Sequence, residues 1–326
     1  PGPVALRDAA THALVPAQVD GSELAFLARD VPSVGYALFT VEAASASPAA
    51  VEEPVSKGIE NARYRISFDE AAGSVESIVD RQTGAELVDS NAPFHLGQYV
   101  YEGMAKAEGA GWHGSPWTGR GTGRVVPKIA RTRIERGAVF TRFIAEGALE
   151  IKDFPVEIGS VDRVVQSVTV PHELDWIQCE VRLEGKRPTA LVEQGNIAFP
   201  FGIKAGKTRL ELLGSVVDPE VDLQAGGNRD CYAAQSWVDV AGPAGGVTWC
   251  PLDTTIVTLG DFRLFRWDAA YRPQNTHLYA NALNNGWSTN FREWQGGDFR
   301  FRFRLRAHRH SSWLEADAPR FGRETA

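Results

Sequence analysis

Residues 281–305 read NALNNGWSTNFREWQGGDFRFRFRL, and the closing part of this stretch decides the fold. Phe299, Phe301, Phe303 and Leu305 point one way, while Arg300, Arg302, Arg304 and Arg306 point the other. A period of two marks a strand with one buried and one wet face. Large apolar residues at every second position need a facing sheet to cover them, which predicts a broad β-sandwich core. The arginine side reads as a solvated or salt-bridged outer face rather than an anion site. The first half of the stretch is polar, with Asn284, Asn285, Trp287, Thr289 and Asn290 ahead of a turn at Gly296 and Gly297. Amides pair donors and acceptors with hydroxyls, and an indole offers a flat apolar face, so the segment suits a sugar. Asparagines also cap turns, and that use is the commoner one.

The chain has 326 residues, enough for a large core and for two units. Its 43% hydrophobic and 23% charged residues are ordinary globular values, so the bulk is expected to be ordered. A net charge of −7 argues against nucleic acid or an anionic membrane as the main partner. No apolar run approaches the length that spans a bilayer, and PGPVALRD lacks the pattern of a signal peptide. The cysteines Cys179, Cys231 and Cys250 are odd in number and widely spaced, which suggests neither a disulfide framework nor a zinc site. Cys179 alternates with Ile177, Val181 and Leu183, the pattern of a buried free thiol. That thiol, the excess of arginine over lysine and the lack of Asn-x-Ser/Thr sequons lead to the expectation of a bacterial cytoplasmic protein.

Short strands are expected at residues 4–6, 13–16, 23–27 and 36–41, with a turn at Asp20 and Gly21. They are too few to close a sandwich, so residues 1–46 read as part of a small β-domain. Residues 47–57 are small, proline-bearing and acidic, and read as a linker. From residue 58 to 326 longer strands predict one large β-sandwich, at 139–146, 163–170, 176–183, 209–213, 247–249, 255–259 and 299–305. No sustained helical stripe occurs, so helices should be few and short. Residues 103–124 form a long glycine-rich stretch carrying Trp112 and Trp117, suited to sugar stacking or to packing against another domain.

No nucleophile elbow, HExxH or phosphate loop is present. His308 and His310 lie two apart on a strand and read as an exposed polar edge rather than a metal pair. Carboxylates are plentiful, and pairing any two for glycoside hydrolysis needs a fold to place them.

Several pieces in one order carry a resemblance: VPSVGY (31–36), IENARY (59–64), GSVESIVDRQTG (73–84), AFPF (198–201), QSWVDV (235–240), Pro251-Leu252-Asp253 and NNGWSTN (284–290). Together they resemble the C-terminal β-sandwich region of glycoside hydrolase family 38, the α-mannosidases. The resemblance implies an all-β fold: a small β-domain followed by a supersandwich of the galactose-mutarotase-like type. It implies that catalysis belongs to an N-terminal α/β barrel holding a zinc ion. Nothing here matches that barrel, so no catalytic residue and no metal ligand is carried over, and no cofactor is expected in this chain. The implied partners are a mannoside-like glycan and the catalytic domain. Candidate substrate contacts are Asn284, Asn285, Trp287 and Asn290, then Tyr99 and Tyr101 in LGQYVYEG, with Trp112 and Trp117. The stretch YEGMAKAEGAGWHGSPW departs from the family's acidic, tryptophan-bearing pattern there. The alternatives from other classes are a free-standing carbohydrate-binding or interaction module and a mutarotase-like epimerase.

Overall fold

The computed structural model describes residues 3–44, 50–104, 123–152, 158–189, 192–264, 266, 268–286 and 294–325. The Gly297–His308 strand lies in the middle of a ten-stranded antiparallel sheet, between Gly245–Pro251 and Ile177–Lys186. Phe301, Phe303 and Leu305 are buried and Phe299 packs against the same core, as the alternation predicts. Beyond Ile177–Lys186 come Val161–Pro171, Phe140–Leu149, Lys128–Arg136 and Val51–Glu53. On the other side come Val238–Gly242, Lys207–Leu212 and Ser215–Val217. The edge strand Val51–Glu53 falls within the stretch read as a linker.

The facing sheet has six strands, in the order Gly123–Val125, Tyr99–Met104, Val192–Phe201, Thr276–Asn284, Ile256–Leu259 and Tyr232–Ala233. One continuous apolar cluster fills the space between the sheets. At its centre Phe303 stands edge-on to Phe199 at 4.8 Å and stacks on Trp249 at 5.4 Å. The small sheet Ile59–Glu60, Tyr64–Asp69 and Ser74–Asp80 closes one side, with Phe68 stacked on Phe143 at 4.0 Å. Buried Gln166 ties these layers: its amide donates to the Ala72 and Gly73 carbonyls and its oxygen accepts the Tyr99 amide. Among the described residues the only α-helix is Ala318–Thr325, which lays Phe321 beside Trp237 on the outer face of the ten-stranded sheet.

Elsewhere that outer face is an ion-pair lattice. Arg300 meets Glu180, Arg302 grips Asp253 at 2.8 Å, and Arg163 bridges Glu146 and Glu184. The salt-bridged reading of the arginine face is therefore the one observed. His308 departs from expectation. It is buried, not an exposed edge, because Asp239, from the next strand but one, meets its Nε2 at 3.0 Å while Nδ1 faces the His310 carbonyl. Cys179 is buried and free, and burial pushes its thiol up to about 12.

The N-terminal residues form the sheet Leu14–Val15, Val4–Asp8, Phe39–Ala43 and the hairpin Ala17–Asp20/Glu23–Phe26. The hairpin turns at Gly21, whose φ of 62° suits a residue without Cβ. Two polar side chains dock it on the sandwich: Gln18 accepts the amides of Val139 and Phe140, and Asp20 takes both guanidinium arms of Arg142 at 2.7–2.8 Å.

Candidate carbohydrate-binding groove

The polar stretch that precedes the central strand begins at the end of Thr276–Asn284. Cross-strand register sets Arg124, Glu102, Gln194 and Asn284 in one row on the outer face of the six-stranded sheet. Gln194 donates to Glu102 at 2.6 Å, and Arg124 reaches Asp261 at 2.7 Å. The next row brings Asn196 opposite Asn281. A bulge inserts Ala282, so Asn281 and Asn284 reach the same face although three residues separate them. Their amides run head to tail: Asn284 Nδ2 donates to Asn281 Oδ1 at 2.8 Å, and Asn281 Nδ2 donates to Asn196 Oδ1 at 3.2 Å. That sense of donation fixes all three amides together. It leaves Asn284 Oδ1 buried and without a hydrogen-bond partner among the described residues.

Asn281 and Asn284 line a groove of about 470 Å³ with Gln235, Asp253, Thr254 and Gln295. Asp253 is a fixed acceptor. Burial alone would raise its carboxyl, but the hydrogen bonds and charge of Arg302 outweigh that and hold it below its ordinary value. Asn285 is a brace. Its Oδ1 accepts the Glu193 amide at 2.7 Å and its Nδ2 donates to the Thr189 carbonyl at 3.0 Å. Beneath the brace, Lys186 and Glu193 form a fully buried pair at 2.6 Å, and Lys186 also donates to the Gln295 carbonyl. Burial pushes the Glu193 carboxyl up, against the opposing pull of Lys186. The groove's wall offers amides, hydroxyls and one charged acceptor. Such a set can orient hydroxyls. Among the described residues its one lining carboxylate, Asp253, is already engaged by Arg302.

Of the candidate contacts from sequence, Asn284 faces the groove and Asn285 supports it. Tyr99 and Tyr101 are buried in the sandwich interior, on the face opposite Glu102, and burial raises both phenols. Their rings belong to the core because position 99 alternates with position 100 toward opposite faces. Trp287, Asn290, Trp112 and Trp117 lie outside the described residues. The reading missed Asn196, Asn281 and Gln194. Asn196 and Asn281 sit 85 positions apart and meet only through strand pairing. Among the described residues no group of three or more His, Cys, Asp or Glu could hold a metal ion, so the zinc implied by the resemblance finds no ligand set in them.

The sequence matches no protein-family model and no curated protein. The fold does have solved counterparts. An α-mannosidase from Enterococcus faecalis superposes with a TM-score of 0.60 over 97% of this chain and 39% of its own, at 12% identity. A protein in glycosyl hydrolase family 38 from Enterococcus faecalis does so with a TM-score of 0.61 over 97% and 40%, at 13% identity. A galactose mutarotase-like protein from Lactobacillus casei gives 0.42 over 79% of this chain and all of its own, at 11% identity. The chain therefore shares its fold with part of the first two proteins and spans about two-fifths of their length. No helix among the described residues is long and apolar enough to cross a membrane.

Proposed function

We propose that this chain is the C-terminal β-sandwich part of an α-mannosidase-like glycoside hydrolase, which supports a separate catalytic domain and helps to hold its carbohydrate. The observation that carries the reading is coextension: 97% of the chain follows one contiguous architecture of the Enterococcus faecalis α-mannosidase. The order of motifs along the sequence supports the same reading independently. The groove adds a chemical reason, since the Asp253 carboxylate lines it beside the side-chain amides of Gln235, Asn281, Asn284 and Gln295. Sugar hydroxyls need acceptors and donors.

Retaining glycosidases place two carboxyl groups roughly 5–5.5 Å apart across the scissile bond. The groove offers Asp253 alone, already engaged by Arg302, so binding is the role it can fill. The test has two arms. The purified chain should not turn over an aryl α-mannoside with or without added zinc, and zinc-dependent turnover would overturn the division of labour. In an amide-resolved NMR titration, methyl α-mannoside should shift resonances at residues 253–256 and 281–285, and Asn284→Ala should abolish the shifts while leaving the melting temperature unchanged. Shifts that survive Asn284→Ala, or none at all, would remove the groove from carbohydrate binding.

A further inference from the structure

A cavity of about 740 Å³ lies at the opposite end of the sandwich, between the turn after Ser74–Asp80, the 201–206 turn and residues 273–277. That volume falls within the range of small-molecule sites. Inside it stands Asp89, pinned from behind on both oxygens. Oδ1 accepts the Asn91 amide at 3.0 Å, and Oδ2 faces His277 Nε2 at 2.9 Å. His277 is buried, with its Nδ1 3.4 Å from the Tyr279 hydroxyl. Burial pushes that phenol up to about 12, so it stays protonated. His277 Nε2 is the ring nitrogen turned to the carboxylate. The His277 hydrogen bond in turn holds the Asp89 carboxyl below its ordinary value.

A carboxylate offers about four lone-pair positions. Two are occupied by the Asn91 amide on Oδ1 and by His277 on Oδ2, the Asn91 side chain also hydrogen-bonds the carboxylate, and the Asp89 side chain remains 29% exposed. The remaining acceptor capacity suits a hydroxyl of a pyranose ring. The rest of the wall fits the same ligand. Leu87, Ile203 and Pro273 give apolar surface for ring C–H groups, and Lys204 stands exposed at the rim with no ion pair among the described residues. Lys204 is set there by a turn whose next residue, Ala205, holds a φ of 49°. A non-glycine residue in that region costs free energy, and such residues gather where a ligand is handled. We propose that this cavity is a second sugar site, binding a single pyranose through a hydroxyl on Asp89 with Lys204 donating from the rim.

The site does not depend on the groove, so the two readings fail separately. The test titrates the isotope-labelled chain with D-mannose, D-glucose and D-galactose, and in a separate arm with methylammonium chloride. The sugars should shift amides at residues 87–91, 202–206 and 273–277. Asp89→Asn keeps one oxygen for His277 Nε2 but sets its amide nitrogen against the Asn91 N–H, so its melting is measured alongside; it should weaken the sugar about tenfold or more, because a charged acceptor is lost. Lys204→Ala, at an exposed position, should weaken it less, and it decides the matter if the Asp89 variant does not fold. Asn284→Ala should leave these shifts intact. No response to any sugar, an Asp89→Asn affinity equal to wild type, or a response to methylammonium that sugars do not compete with would overturn the proposal, the last by making this a cation site.

Discussion

Replacing Phe303 with alanine tests the core where both sheets meet. Its ring is fully buried, edge-on to Phe199 and stacked on Trp249. Deleting a buried phenylalanine ring costs about 3–5 kcal/mol, and two lost aromatic contacts place this site toward the upper half of that range. With an unfolding entropy of about 2.1 cal/mol/K per residue, the 326-residue chain has roughly 0.7 kcal/mol/K at its midpoint. A loss of about 4 kcal/mol then lowers the melting temperature by about 6 °C. Phe303→Leu, which keeps most of the volume, should lose much less. The neighbouring Arg300→Ala removes a half-exposed guanidinium from Glu180, which keeps Arg182, and should cost under about 1 kcal/mol, or less than about 2 °C. Differential scanning calorimetry of the three variants decides. Equal shifts for Phe303→Ala and Arg300→Ala, or no shift for Phe303→Ala, would refute the assignment of inner and outer faces.

Two further outcomes follow from buried or docking charges. Asp20 is held below its ordinary value of 3.8, chiefly by its hydrogen bonds to Arg142. A depressed carboxyl contributes stability that is present above its unfolded value and lost as pH falls through the folded one. The 17–26 hairpin should therefore lose amide protection in acid below about pH 3.8 before the sandwich does, and Asp20→Asn should show the weaker docking already at neutral pH; simultaneous loss in wild type would contradict this. His308→Leu strands the Asp239 carboxylate in the interior and should cost about 3–5 kcal/mol in urea unfolding, with Asp239→Leu added to it recovering much of that loss.

How much of this was readable beforehand depended on exposure of one strand face. Residues 299–305 alternate because one side of that strand is wet or ion-paired, and it was found; 163–170 was found although residues 164–170 are all buried, because Arg163, Ser167 and Thr169 mark one face with polar side chains. Val192–Phe201 was not recognised as a strand. It is buried along almost its whole length, on both faces, so its sequence runs on without a period of two. The same loss of contrast hid Val238–Gly242. His308 was misread for a related reason: its partner Asp239 arrives from another strand, and no local pattern announces it. At the groove Asn284 was legible as a clustered amide. Its coupling to Asn281 was not, because strict alternation would send residues three apart to opposite faces, and only the bulge at Ala282 reverses that.

The arginine lattice on the ten-stranded sheet bears on how this sequence can drift. Glu180 serves both Arg182 and Arg300, and Glu146 serves both Arg133 and Arg163. Loss of Glu180 takes the shared acid from Arg182 and Arg300, and loss of Glu146 leaves Arg133 with Glu135 alone and Arg163 with Glu184 alone. Change at these sites should therefore proceed in linked steps, an arginine giving way before or together with its shared acid. The broad face would be inherited as a unit of matched charges, while the loops at the two ends of the sandwich vary one residue at a time.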